Sequence, residues 1–473
     1  MSTILKKESF MYGFGHILTR IVSFLLLPFF TNIFTQAEYG TISLIYIFLG
    51  FFTVFLHFGL DASLMKYYKN DSIGVQKKYV SNIYIPILIV NILFLFFCFL
   101  LRGYLAVPFI GINDSFIFLM VILILFFDVL WGIPMIMLRL DNKPIKFISY
   151  NLTSVLSNLF CIYLFVSVYN MGIWGVVLSG LVSSGLLFII TLPPIIPSLS
   201  IKFINKHIFK EVFSFGFPLL FAGIFSMTIE LSDRYIIKYL LEVEQVGVYS
   251  AGYKLGMLML LLVMAFNMAW QPFFLNKKNQ SIGLISSISD SMFLFFSLFC
   301  FFIISFAQPL ASFKFFGYSL VGGDFVSGLS VLPWICAGYL FHGAYILQLP
   351  GPYTTKNTLS IAIIRGIGAI MNVVLNFILI PFLGIDGAAI STFITFLIIT
   401  VLLFLYNKKI YPINYNIYNV GCLVFVLITL NVFISYSPPF LMRLIFFISI
   451  LCFLVVFQVL KKESFKVLEN EPR

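Results

Sequence analysis

Charge is what this chain lacks most. Only 10% of its 473 residues are Asp, Glu, Lys or Arg, against roughly 25% in a soluble domain, while 61% are hydrophobic. No water-soluble fold hides that much apolar surface. Polar stretches long enough to make a soluble domain are also missing. The six cysteines (Cys98, Cys161, Cys300, Cys336, Cys422 and Cys452) lie inside apolar runs, with neither zinc spacing nor a disulfide framework. They read as small buried hydrophobes. No G-x-x-x-x-G-K-[ST] loop is present, which removes ATP binding through a P-loop. The four histidines (His16, His57, His207, His342) are scattered and no H-E-x-x-H stands among them. Neither a metal nor another cofactor is expected. A sugar-transferring membrane enzyme needs acid–base groups or a metal at the membrane surface. The chain has no large loop and no D-x-D pair to supply them, so it is expected not to be an enzyme.

What is present is apolar length. About twenty apolar residues cross a ~30 Å hydrocarbon core. By that measure the chain has about fourteen spans, near 11–34, 40–60, 79–101, 115–138, 147–169, 172–195, 213–237, 247–270, 284–311, 328–349, 359–383, 386–406, 417–437 and 440–460. The first run is too long for a signal-peptide core and reads as an uncleaved span. The spans must be helices, because lipid offers no partner to unpaired backbone groups. The expected fold class is an all-α polytopic membrane protein.

Basic residues alternate from loop to loop. Those after the even-numbered spans, with both chain ends, carry 21 Lys and Arg; the others carry Arg102, Lys238 and Lys314 alone. The rule that basic loops stay inside predicts both termini in the cytoplasm. The net charge of +11 is then mostly topology signal and contact with anionic lipid, not a nucleic-acid surface. The segment 200–212, with Lys202, Lys206, His207 and Lys210, reads equally as a short interfacial helix or a basic loop.

The chain also repeats itself. Gln36-Ala37-Glu38-Tyr39-Gly40 is answered by Glu242-Val243-Glu244-Gln245-Val246-Gly247, and Gly172-Ile173-Trp174-Gly175 by Gly384-Ile385-Asp386-Gly387. The two offsets are nearly equal. They predict two parallel six-helix lobes, 1–200 and 201–410, with two further helices and a cytoplasmic tail over 411–473. In such a repeat the binding site lies between the halves near mid-membrane.

Ionisable groups at membrane depth are costly and are functional candidates by default. Arg20 lies near the middle of span one, with His16 one turn before it. Glu230, Asp233 and Arg234 cluster in span seven, and the i, i+4 order of Glu230 and Arg234 favours an ion pair. Lys254 lies between Gly252 and Gly256, a G-x-x-x-G helix-contact face. Lys254 is on the opposite side of that face, toward a wet cavity. Arg365 lies in span eleven, within reach of the basic end or of a lumen. Asp128 is mid-depth in span four, and it, Glu230 and Asp233 are the candidates for ion coupling. The substrate candidates, Arg20, Arg234, Lys254 and Arg365, are all cations. A cationic cavity suits an anion, and arginine pairs bidentately with phosphate.

These residues resemble a known family. Arg20 with Leu27-Pro28 and Glu38-Tyr39-Gly40, then Gly216-Phe217-Pro218, Asp233-Arg234, Gly247-Val248-Tyr249-Ser250 and Lys254-Leu255, then Asn372, Asn376, Ile380-Pro381 and Gly384-Ile385-Asp386-Gly387-Ala388-Ala389, follow one another as in the polysaccharide-export branch of the multidrug/oligosaccharidyl-lipid/polysaccharide (MOP) transporters. The chain is similar to its O-antigen (Wzx-type) flippases over nearly its whole length. The resemblance implies alternating access around a V-shaped cationic lumen. The implied cargo is an oligosaccharide of an O-antigen, capsule or exopolysaccharide on undecaprenyl pyrophosphate, moved across the bacterial cytoplasmic membrane. It implies membrane lipids as partners, together with the polymerase and glycosyltransferases of the pathway. In the related lipid II flippases, arginines in spans one and eight are important. Arg20 matches the first, while Lys254 stands where the second is expected. A multidrug or organic-cation antiporter of the same superfamily is the alternative, and it predicts an acidic cavity instead.

Overall fold

In a computed structural model, residues 24–68, 73–276, 281–315, 317–355, 357, 359–413, 439–445 and 447–448 are described. Eleven helices there are long and apolar enough to cross a membrane. They are the expected second to twelfth spans. The first span is seen in part as α1 (Phe24–Ile33). The two final spans and the tail lie essentially outside the described residues, as do Cys422 and Cys452.

The remaining helices follow in chain order: α2 (Gln36–His57), α3 (Leu60–Tyr67), α4 (Ile73–Leu100), α5 (Arg102–Ile110), α6 (Ser115–Leu140), α7 (Pro144–Ile162), α8 (Gly172–Ile195), α9 (Lys206–Leu240), α10 (Val243–Leu275), α11 (Ile282–Ser312), α12 (Leu332–Leu347), α13 (Pro350–Thr354), α14 (Leu359–Leu383) and α15 (Ile385–Ile410). A two-stranded ribbon joins β1 (Lys314–Phe315) to β2 (Tyr318–Ser319). The helix starts are chemically marked. Thr35 and Glu38 form a reciprocal capping box on α2, and Asp114 accepts from the first free N–H groups of α6. Asn205 caps α9, which opens at Lys206. The basic segment 200–212 is therefore no separate interfacial helix. A 3₁₀ turn over Ile201–Phe203 leads into a span longer than its apolar core, because the cap lies below the charged first turns.

Two large apolar cores hold the described helices, with a small third cluster of Met135, Leu138 and Phe147 between α6 and α7. One joins α2, α4 and α6 around Phe48, Ile83 and Phe118. The other joins α10, α11, α12, α14 and α15 around Tyr249, Phe296 and Tyr339, and takes in Leu27 and Phe30 from α1 and Phe34 just after it. Helix α9 belongs to both. Its first half meets α3 at a backbone approach between Gly59 and Gly216, where neither position has room for a side chain. Ser63 there donates to the Val212 carbonyl. Its second half meets α14, through Ser232 and Asn372. A boundary drawn at residue 200 thus cuts ahead of a helix that half belongs to each side. The linker before α9 is also tied back. Asn82 donates to the Phe203 carbonyl and accepts from the Asn205 N–H, and Ser81 donates to the Ser198 carbonyl.

The repeated turns are built alike. Gly172 and Gly384 take left-handed φ angles of 57° and 59°, which favours glycine. Gly175 and Gly387, three residues on, press against the backbone of Phe165 and Leu379. Gly40 and Gly247 meet each other's helix. A Cβ on Gly40 would overlap the Val243 carbonyl, and a Cβ on Gly247 would overlap the Gln36 carbonyl. The two lobes are thus sealed at the end poor in basic residues by a reciprocal glycine contact between α2 and α10. Gln36 and Asn32 add hydrogen bonds across the seam to the carbonyls of Asp324 and Ser319.

Candidate functional site

Arg20, with His16, lies outside the described residues. The other candidate charges fall in four places.

Arg234, on α9, is in the protein wall. Its side chain is 6% exposed and that of Asp233 is 0% exposed. One guanidinium nitrogen donates to the Asp233 carboxylate at 2.7 Å and to the Glu230 backbone carbonyl at 2.6 Å. The expected pairing with the Glu230 carboxylate is corrected to this one. On a helix, the neighbouring Asp233 reaches the guanidinium because both side chains curl back into one buried pocket. The guanidinium also lies 3.8 Å from the Tyr253 ring centroid and 5.1 Å from that of Tyr249, a cation–π arrangement strengthened by desolvation. Tyr249 donates to the other Asp233 oxygen at 2.5 Å, and the Tyr253 and Tyr339 hydroxyls share a 2.5 Å hydrogen bond. Arg234 and Asp233 are therefore each held by several partners within the lobe.

Lys254, on α10, faces the other lobe. Gly252 and Gly256 contact Gly328 and Ile335, as the G-x-x-x-G face predicts. On the opposite side the Lys254 ammonium stands 5.9 Å from the Phe30 ring and 5.7 Å from the Tyr39 ring. It thus crosses the seam to α1 and α2. Arg365, on α14, is half-buried between α9 and α12. It donates to the Ser226 hydroxyl at 2.5 Å and to the Tyr345 hydroxyl at 3.4 Å, and stands over the Tyr345 ring at 5.4 Å. His342 stacks on Tyr345. Asp128 is in the other lobe, on α6, where its carboxylate accepts the Trp131 indole N–H at 2.9 Å. The structure therefore brings Glu230, Asp233 and Arg234 together, sets Arg365 on the same lobe, and keeps Asp128 apart.

The sequence reading missed the tyrosines around these arginines. Tyr249 and Tyr253 stand at i, i+4, and Tyr339 with His342 and Tyr345 lie on one face of α12. That periodicity was visible, but aromatic stripes at helical spacing usually mean core. The reading also passed over what Asn372 and Asn376 do. Asn376 donates to Asn372, which bonds to Thr395, so this buried amide pair pins α14 to α15.

Residues 5–278 match a family described as polysaccharide biosynthesis protein. An uncharacterized membrane protein of Haemophilus influenzae is 22% identical over 287 residues, 58% of this chain and 66% of the relative. The matched region thus spans just under two thirds of that protein. The fold is similar to that of the lipid II flippase MurJ in an inward closed conformation, with a TM-score of 0.79 at 17% identity, covering 96% of this chain and 100% of the other. It is also similar to an inward-facing multidrug resistance MATE family transporter of the MOP superfamily, with a TM-score of 0.63 at 13% identity, covering 82% and 97%.

Proposed function

Because the chain belongs to the polysaccharide biosynthesis protein family, we propose that it is a flippase for an oligosaccharide carried on undecaprenyl pyrophosphate, as in the assembly of O-antigen, capsule or exopolysaccharide. The basic loops and both termini face the cytoplasm in this reading, and the lobes 1–200 and 201–410 rock about the seam. Likeness of fold to a lipid II flippase supports a lipid-linked cargo. The glycan travels in the aqueous lumen while the prenyl chain stays in lipid, beside the polymerase and glycosyltransferases of the pathway.

The observation that carries this reading is the placement of Lys254. It is a cation on the one face of α10 that turns from its own lobe toward α1 and α2. Arg20, on the run leading into α1, and Arg365 complete the set that meets the pyrophosphate. Arg234 acts from the wall, holding Tyr253 in place. The sequence has no P-loop to couple ATP to the cycle. The membrane potential supplies about 2.3 kcal/mol per charge per 100 mV and draws an empty cationic site inward.

The test is glycan export in cells. Arg20→Ala and Lys254→Ala, each shown to be folded, are expected to lower export about tenfold or more, since a hydrogen bond to a charged group contributes about 1.5–3 kcal/mol. Lys254→Arg is expected to retain it. Full-rate export by both alanine variants would sink the reading. The fold shared with a multidrug transporter favours a second reading, an organic-cation antiporter. That reading predicts drug efflux that survives Lys254→Ala.

A further inference from the structure

A second polar recess lies apart from the seam, inside the first lobe. A half-open space of about 320 Å³ is bounded by α1, α2, α6, α7 and α8. Its polar lining is Asp128, Trp131, Ser154, Asn158, Ser183 and Ser184. A neighbouring space of about 490 Å³ shares Trp131, Ser154 and Val155 with it and runs to Arg139 and Phe147, at the basic end of α6 and α7. At their common neck the Ser154 and Ser183 hydroxyls are 3.0 Å apart. Helix α7 ends in a π-helical stretch, Tyr163–Val168, a distortion frequent at functional sites. The far wall is Leu26 of α1 with Ile42 and Tyr46 of α2; α2 forms the interlobe seal with α10, and α1 bonds across the seam through Asn32.

We infer that this recess is a proton-binding site, with Asp128 as the group that takes up and releases the proton through an opening at the basic end. The inference rests on the transport reading only for what the proton drives. The chemistry fits a proton better than a metal cation. One carboxylate oxygen already accepts the Trp131 N–H, Ser184 lines the same recess, and a Na⁺ ion would need several free oxygens around one point. Among the described residues, the titratable and charged groups near Asp128 are few. Tyr46 comes from α2. His57 of α2 is held on the Val129 carbonyl at 3.0 Å, with Asp61 of α3 beside it. Arg139 is on α6 itself, and the described residues of α1, α7 and α8 that line the two spaces are Leu26, serines, Asn151, Asn158, glycine and apolar groups. A proton gained or lost beneath Leu26 and Tyr46 changes the packing of α1 and α2 against the seam, which couples the site to the opening of the lobes.

The test uses the full chain in lipid nanodiscs without substrate, so its outcome is independent of export. Infrared difference spectra over a pH titration are expected to show a carboxylic acid C=O band that is absent in Asp128→Asn. In Trp131→Phe the band persists but moves to higher frequency, because its hydrogen-bond donor is gone; this variant keeps the test open if Asp128→Asn does not fold. Trp131 fluorescence, taken as the difference between the wild type and Trp131→Phe, is expected to follow the same titration. A titrating band unchanged in both variants would overturn the assignment. So would a Trp131 signal that responds to Na⁺ at constant pH and not to pH. If the site titrates but a pH gradient leaves export unchanged, the proton site stands and its coupling falls.

Discussion

Replacing Gly247 with valine is expected to hold the lobes apart at the end poor in basic residues and to abolish alternating access. A Cβ there overlaps the Gln36 carbonyl, which is backbone and cannot swing aside. Overpacking of this kind costs roughly 1–3 kcal/mol, and each 1.4 kcal/mol shifts an equilibrium about tenfold. The sealed state should therefore lose about one to two orders of magnitude of population. The reporter is a cysteine at Thr41, which is buried beside Gly40. With Gly247→Val, Thr41→Cys should react rapidly with a membrane-impermeant maleimide; in the parent it should be protected. Gly40→Val, the mirror change, should behave alike. Equal protection in parent and variant would show that the seal tolerates the side chain and does not gate. A substitution elsewhere on the exposed face of α10 gives the control for folding.

The second large effect is on stability. Asp233→Asn leaves the Arg234 guanidinium buried without its carboxylate. Breaking a buried pair by removing one partner costs about 3–5 kcal/mol, and the Tyr249 hydroxyl loses its charged acceptor at the same time. Thermal unfolding in detergent should fall sharply. The double variant Asp233→Asn/Arg234→Met should recover much of the loss, because no lone charge remains. If the single variant melts like the wild type, the pair does not anchor α9. The outcome separates two roles for Arg234. A residue that gripped the cargo directly would lower export in the double variant despite recovered stability.

The reading from sequence was sharpest where lipid leaves one solution. Each apolar run of twenty or so residues between α2 and α15 became a helix, because backbone groups in hydrocarbon have no other partner. Charged edges were harder. Span seven was placed at 213–237, yet α9 runs from Lys206 to Leu240, since a capping asparagine and charged turns extend a helix beyond the bilayer core. The glycine repeats were legible, and the structure shows their physical cause in left-handed turns and close backbone approaches. Which charges face a lumen was not legible. Arg234 and Lys254 differ by twenty residues and are both cations in spans, but one is enclosed by its own lobe and the other crosses the seam. Only the neighbours tell them apart: those of Arg234 come from its own helix and the next one, whereas Phe30 and Tyr39 beside Lys254 come from the start of the chain.

Helix α9 also sets an order of events during synthesis. Its first half completes the packing of α3 and α4, and Asn82 pins the segment just before it. The first lobe therefore stays unfinished at the moment its own six spans have left the ribosome. It closes only when the seventh is threaded into the membrane, so the start of the second lobe serves the first as an assembly partner. Two halves expressed separately and divided at residue 200 would each emerge missing part of that contact. Divided instead after α9, the first fragment would carry its own closing helix, and the second would be the one left waiting.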